Sequence, residues 1–203
     1  MVIKNIIFDF GGVLFHWNPR YLYRAYFKTE DEMEYFLANI CTDEWNAEQD
    51  RGRPFAEGVQ ILQQKFPEYA EPIGLFKDQW HVMLKSEIPE TVELLYQFRN
   101  QGYQIFGLTN WSAETIPIVF NKYDFLKEFD GIVVSGQEKL IKPDKRIYTL
   151  LLERYALKAK ESLFIDDNIN NIKTAKEVGM QVILYDNIFN VKNKISSIIH
   201  DFA

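Results

Sequence analysis

Apolar and polar positions change rhythm several times along the chain. Val2-Ile3-Lys4-Asn5-Ile6-Ile7-Phe8 is a short, mostly apolar run, the pattern of a strand, and it ends at Asp9 in the tight segment Asp9-Phe10-Gly11-Gly12-Val13-Leu14. From about Tyr21 to Lys85 apolar positions recur with helical periodicity, aromatics are frequent, and no strand is expected. Pro89-Glu90 restarts a helix through Phe98 that Gly102 ends. Strands and helices then alternate. Strands are expected from Gln104 to Thr109, Gly131 to Ser135, Ser162 to Ile165 and Gln181 to Tyr185. Helices are expected from Ser112 to about Tyr123, from Asp144 to Tyr155 after Pro143, from about Asn170 to Val178 closed by Gly179, and from about Val191 onward. Such alternation predicts an α/β protein with a parallel sheet covered by helices on both faces. Its core is discontinuous, residues 1–16 and 87–203, with a helical insertion at residues 17–86.

Composition narrows the function classes. At 203 residues, 47% hydrophobic and 26% charged, the chain has the makeup of a globular protein with one substantial core and a smaller accessory unit. A net charge of −6 argues against a broad basic face for nucleic acid. Met1 leads straight into the strand pattern, so no signal peptide is expected, and no run is long and apolar enough to cross a bilayer. The single cysteine, Cys41, excludes an internal disulfide and suits a reducing cytoplasm. A small molecule is the expected partner, bound by a monomer or homodimer.

In an open parallel sheet, ligands bind at the carboxyl ends of the strands. The predicted strand ends deliver Asp9, Thr109-Asn110, Ser135 and Asp166-Asp167 to one rim. Carboxylates from two strand ends can hold a divalent cation. The Thr109 hydroxyl can hold a phosphate oxygen together with backbone N–H groups, and Lys142, in Lys142-Pro143-Asp144, can neutralise charge developing on a transferring group. Any one of these residues alone could merely cap a turn or face solvent. Together they suggest phosphoryl transfer through an aspartyl intermediate.

The order Asp9-Phe10-Gly11-Gly12-Val13, Thr109-Asn110, Lys142-Pro143 and Asp166-Asp167-Asn168 resembles the four motifs of the haloacid dehalogenase-like hydrolase superfamily, and the resemblance spans the chain. It implies a Rossmann-like core with the first strand central, the insertion as a helical cap, Mg²⁺ as cofactor and Asp9 as nucleophile. Carried over by position, Asp9, the Gly11 carbonyl and Asp167 would bind Mg²⁺, Asp166 would support the metal shell, and Thr109, Asn110 and Lys142 would hold the phosphoryl group. Within the superfamily the chain is similar to bacterial sugar-phosphate phosphatases that share the glycine and the Asp-Asp-Asn motif. The implied activity is Mg²⁺-dependent hydrolysis of a small phosphate monoester, such as a sugar phosphate.

One departure from the family pattern bears on mechanism. Phosphatases of the superfamily usually carry a second aspartate two residues after the nucleophile, acting as general acid and then base; here that position is Gly11. Its loss costs about 10²–10⁴-fold in rate unless another group substitutes. His16, a cap residue and the substrate's own hydroxyl acting through water are the candidates. Two rival readings are a metal-independent 2-haloacid dehalogenase, which Lys142 and Tyr148 also fit, and a weakly active or non-catalytic phosphoester-binding protein. Against the dehalogenase stand the adjacent acids Asp166 and Asp167, which repel unless a cation is present.

Within the insertion, Trp45, Asp50, Arg51, Gly52 and Arg53 form a polar interruption between helical patterns. The resemblance implies a loop over the active site there, with Trp45, Arg51 and Arg53 as candidate substrate contacts. Of Trp17, Trp45, Trp80 and Trp111, Trp111 beside Thr109-Asn110 is the one with a candidate ligand role. Asn171 lies where the family often carries a further acid, and it either orients the metal shell or begins the helix. His16, His81 and His200 share no ligand spacing.

Overall fold

A computed structural model of the chain describes residues 2–199. His200 lies outside the described residues. Five parallel strands form the sheet: β1 (Asn5–Phe8), β4 (Gln104–Thr109), β5 (Gly131–Val134), β6 (Ser162–Asp166) and β7 (Gln181–Leu184), in the spatial order β5-β4-β1-β6-β7. β1 is central, as expected, with Ile6 opposite Ile105 on one side and Leu163 on the other. Alternation along β1 divides the core. Ile6 and Phe8 join the large cluster on one face, while Ile7 joins Phe106, Leu108, Tyr148, Phe164 and Ile172 on the other. Because every neighbour runs parallel, all five carboxyl ends open on the same rim.

The core helices are α6 (Pro89–Asn100), α7 (Ile116–Lys122), the single turn α8 (Ser135–Glu138), α9 (Lys145–Arg154), α10 (Ile169–Val178) and α11 (Ile188–Ile198). Their limits follow local capping chemistry. Asp144 accepts from the Arg146 amide at the start of α9, and Asn168 from the Asn170 amide at the start of α10. Three limits differ from expectation. The Ser112 hydroxyl accepts from the Glu114 amide in a turn, so α7 begins only at Ile116. Asn187 accepts from the Asn190 amide and starts α11 before Val191. Ser135 opens α8 rather than closing β5.

Residues 17–86 are helical as expected over most of their length, in α1 (Arg20–Tyr23), α2 (Glu30–Asn39), α3 (Asp43–Asp50), α4 (Phe55–Lys65) and α5 (Ala70–Asp78). The expectation of no strand in this stretch is corrected at its end: β2 (Phe15–Trp17) pairs antiparallel with β3 (Leu84–Glu87). Three or four residues are too few to display a period of two, so the pattern could not announce them. The ribbon carries the chain out of the core and back beside its exit, extended by the Ile88 amide donating to the Leu14 carbonyl. Among the described residues, no helix is long and apolar enough to cross a membrane.

Candidate active site

The ends of β1, β4 and β6 bring the expected acids and hydroxyl together. Asp9, Asp166 and Asp167 place one carboxylate oxygen each within 4.8 Å of one another. Lys142 reaches in from the loop before α9, its Nζ 2.8 Å from Asp9 Oδ1 and 2.7 Å from Asp166 Oδ2. Asp166 and Lys142 are buried, Asp9 nearly so, and Asp167 faces outward.

Each partner is held. The Asp166 carboxylate accepts from the Asn168 amide at 2.8 Å and from Asn171 Nδ2, which lies 3.0 Å from both oxygens. Asn171 thus orients an acid while also lying within α10, and the Tyr148 hydroxyl donates to its carbonyl at 3.1 Å. Asn110 clamps the lysine loop: its Nδ2 donates to the Lys142 carbonyl at 3.0 Å, and its Oδ1 accepts from the Lys142 amide at 2.8 Å. The Asn110 side chain therefore positions Lys142. Thr109 stands at the end of β4, beside β1, with its hydroxyl buried and without a hydrogen-bond partner. A buried hydroxyl left unpaired is costly unless a ligand completes it.

Electrostatics favours a cation. The Asp9 carboxyl is held up at about 8: burial raises it most, Lys142 lowers it, and the charges of Asp166 and Asp167 raise it further. Asp167 is raised as well, by burial and by Asp166. Burial disfavours the Lys142 charge, yet Asp166 and Asp9 more than offset this and hold it above the ordinary lysine value. Three acids thus share one lysine, an all-oxygen donor set short of positive charge and suited to a hard divalent ion. Gly12 fits the same arrangement: its φ is +73°, and a Cβ there would sit 2.1 Å from Asp167 Oδ2. Gly11 is under no such constraint, since a Cβ there would meet nothing within 4 Å.

Above this rim lies a cavity of about 80 Å³ lined by Gly11, Asn110 and Trp111 from the core and by Trp17, Asn46, Asp50 and Trp80 from β2 and the insertion. Trp111, the tryptophan singled out beside Thr109-Asn110, lies in its wall with Trp80 packed against it, ring centres 5.5 Å apart. Trp17 Nε1 and Asn46 Oδ1 are buried without partners. Asn46 and Asp50 share one face of α3, and Asn46 Nδ2 donates to Asp50 Oδ2 at 3.2 Å.

The residues expected from the insertion lie elsewhere. Trp45 is buried within α3, its indole N–H donating to the Gly58 carbonyl and its ring edge-on to Phe76. Arg53 donates to Gln49 Oε1 and to the Trp45 carbonyl, and Arg51 pairs with Glu48 at the surface. None of the three lines the cavity. His16 is exposed on β2 and does not line it either. Asn46, Trp17 and Trp80 were not singled out by the sequence. The Asn46–Asp50 spacing of four was the one available signal, and it cannot say which way a helix face turns.

The haloacid dehalogenase-like hydrolase family model matches residues 3–179. Over 87% of its length the chain is 30% identical to a sesquiterpene phosphatase of Aspergillus oryzae, of which it spans 87%. It is 24% identical over 97% of its length to a drimenol cyclase of Aspergillus calidoustus, but spans only 37% of that longer protein. An HAD family enzyme from Bacteroides thetaiotaomicron, solved in complex with magnesium and inorganic phosphate, shares the fold with a TM-score of 0.70 at 22% identity, over 91% of this chain and 94% of that one.

Proposed function

The chain belongs to the haloacid dehalogenase-like hydrolases, and from that premise we propose that it is a Mg²⁺-dependent phosphatase of a small phosphate monoester, working through an aspartyl-phosphate. The observation that carries this reading is the conjunction of Asp9, tied to Asp166 through Lys142, with a Thr109 hydroxyl buried and unpaired at the next strand end. Names of similar proteins agree: one is a phosphatase, and a fold neighbour holds magnesium and inorganic phosphate.

Asp9 attacks phosphorus in line, forming the aspartyl-phosphate as the ester oxygen leaves; water then cleaves the intermediate. Lys142 offsets charge on the transferring group, Thr109 orients one of its oxygens, and Asn110 keeps Lys142 in register. Asp9, the Gly11 carbonyl and Asp167 would hold the magnesium ion, with Asp166 fixing Lys142 beside them. When bound, that ion supplies positive charge to the phosphoryl oxygens and relieves repulsion among the acids. Residues 17–86 act as the cap, and residues 1–16 and 87–203 as the catalytic core; the cap excludes bulk water.

A hydroxylated leaving group, as in a sugar phosphate, suits the cavity. Trp17 Nε1 offers a donor and Asn46 Oδ1 an acceptor, both unpaired, while Trp80 and Trp111 offer apolar walls to C–H faces.

The test is phosphate release from an aryl phosphate and a panel of sugar phosphates, with Mg²⁺ or a chelator, for wild type and Asp9→Asn. Mg²⁺-dependent release that falls by about 10⁴-fold or more in the folded variant is expected. Substantial hydrolysis by purified Asp9→Asn would sink the assignment of nucleophile. Halide release from a 2-haloacid without metal would replace the phosphatase reading with the dehalogenase one.

A further inference from the structure

We propose that Asp50 is the general acid and base of this active site, a carboxylate delivered by the insertion in place of the one missing at Gly11. The inference rests on the phosphatase reading above. Asp50 ends α3 and lines the same cavity as Gly11 and Asn110. Glycine at position 11 is not demanded by the turn: a Cβ there would find open space. The core side of the cavity is therefore left without a side chain where a proton donor would otherwise stand, and an acid from the opposite wall faces the same small volume.

Asp50 is held in that wall from both sides. Asn46 Nδ2 donates to its carboxylate at 3.2 Å, the Ser112 amide also donates to it, and Ser135 Oγ, at the start of α8, donates to its backbone carbonyl at 2.5 Å. Gly52, two residues on, lets the chain approach the core closely: its φ is +106°, and a Cβ there would sit 2.9 Å from the Gly136 carbonyl oxygen. Next to this contact the Phe55 amide donates to Glu114. The two hydrogen bonds to the carboxylate leave acceptor capacity for a leaving oxygen or a water.

Burial holds the Asp50 carboxyl up at about 7, against the Ser112 amide that lowers it. A group titrating near neutrality can both give and take a proton. Of the charged side chains on the packed elements, Arg51 pairs with Glu48, Glu138 with Arg154, and Glu114 accepts from the Phe55 amide, while Asp43 and Glu44 on α3 and Lys139, just after α8, are exposed to solvent.

The proton balance closes over two steps. In the first, the Asp9 oxygen–phosphorus bond forms, the bond from phosphorus to the ester oxygen breaks, and protonated Asp50 gives its proton to that oxygen, releasing the alcohol. In the second, Asp50 carboxylate takes a proton from water as the water oxygen bonds to phosphorus and the Asp9–phosphorus bond breaks, releasing inorganic phosphate and leaving Asp50 protonated again.

The experiment compares wild type and Asp50→Asn on phosphate monoesters whose leaving groups span p-nitrophenol to a simple alkyl alcohol. Asparagine keeps the shape and an acceptor for the Ser112 amide but cannot transfer the proton. For p-nitrophenyl phosphate, kcat/KM should change by no more than about 3-fold, because that leaving group needs no acid; for the alkyl ester it should fall by about 10²-fold or more. Slowed water attack should also give a burst of p-nitrophenol. An equal loss across all leaving groups, or no loss, overturns the proposal while leaving the phosphatase reading intact. The leaving-group dependence of wild type alone is a second measurement, independent of the variant's folding: a shallow dependence supports a protonated leaving oxygen, and a steep one overturns it. Wild type inactive on every ester would instead count against the phosphatase reading itself.

Discussion

Along the strand-end rim, Lys142, Asp9, Asp166 and Asn171 form a closed set of hydrogen bonds and ion pairs, whereas across the cavity Trp17 Nε1 and Asn46 Oδ1 are buried with nothing to bond. The rim is largely organised, with the Thr109 hydroxyl its buried group without a partner among the described residues. That suits chemistry in which charge develops at a fixed place and the donors must not reorganise. The opposite wall carries several open valences, which a ligand must complete, and so it is suited to discriminate between leaving groups. Under the proposed function, the reaction and the choice of substrate would be separated, with catalysis on the rigid strand ends and selection on the insertion.

The largest expected effect comes from breaking the closed side. Lys142 is 3% exposed and sits between two carboxylates. Lys142→Met leaves Asp9 and Asp166 facing each other without compensation, at about 3–5 kcal/mol of stability near neutral pH, together with loss of turnover. The sign with pH follows from the groups involved. Lys142 is held above its ordinary value, so its contribution is fully present below the unfolded lysine pKa and is lost only at strongly alkaline pH. Asp9 is already raised to about 8, and without Lys142 it rises further, so relative to wild type the variant loses stability as pH rises above about 8 and regains it as acid protonates Asp9. Urea unfolding at pH 7 and pH 9.5 should show a larger deficit at pH 9.5, above the wild-type Asp9 value. An equal deficit at both would mean that Lys142 stabilises through packing, including its contact with the Phe164 ring, rather than through charge.

The open side should behave the opposite way in one respect: removing its carboxylate should stabilise the fold. Burial raises Asp50 to about 7, above the value near 4 of an unfolded aspartate, so its ionisation opposes folding. Stability from this group is highest when it is protonated in both states and declines as pH rises from about 4 to about 7. Asp50→Asn removes the decline. The variant should gain roughly 1–2 kcal/mol on wild type at pH 8 and nothing at pH 4, the half-buried position screening part of the full linkage. Thermal melts at the two pH values decide it, and a variant less stable at pH 8 would make Asp50 a strut between insertion and core.

Legibility in the sequence followed the same division. The positions of Asp9, Thr109, Lys142, Asp166 and Asp167 were readable because each sits at or just after a strand end or, for Lys142, directly before Pro143, and parallel topology sends all strand ends to one rim. The roles of Asn110 and Asn171 were half readable: their positions were marked, but only side-chain geometry shows one clamping the lysine loop and the other orienting Asp166. The cavity wall was not readable. Asn46 and Asp50 have the spacing of a helix face, but which face of α3 turns toward the core depends on the docking of Ser135 and Gly52, contacts between residues about 85 apart. Trp45, beside them in sequence, turns the other way into the insertion's own core, because a bulky indole gains most where it is fully covered. The β2–β3 ribbon escaped for a related reason: pairing across the whole insertion is a long-range event with no local signature.

The smallest expected effect isolates one open valence. Trp17 is half-buried, and its Nε1 is a buried donor without a partner. Trp17→Phe keeps an aromatic wall and deletes that donor, so two opposite consequences should appear together. The free protein should be no less stable, because an unpaired buried N–H is a cost that phenylalanine does not carry, even after some loss of ring area. Binding of a hydroxylated phosphate ester should weaken, because its oxygen loses a donor worth about 1 kcal/mol, a rise in KM of roughly 5-fold, while an aryl phosphate lacking hydroxyls should be bound unchanged. Steady-state kinetics on the two esters, with a melt of each protein, separates the possibilities. A KM raised equally for both esters would show Trp17 acting through shape, and an unchanged KM with lowered stability would make its indole a packing element; either would move substrate selection to Asn46 and the two remaining tryptophans of the wall.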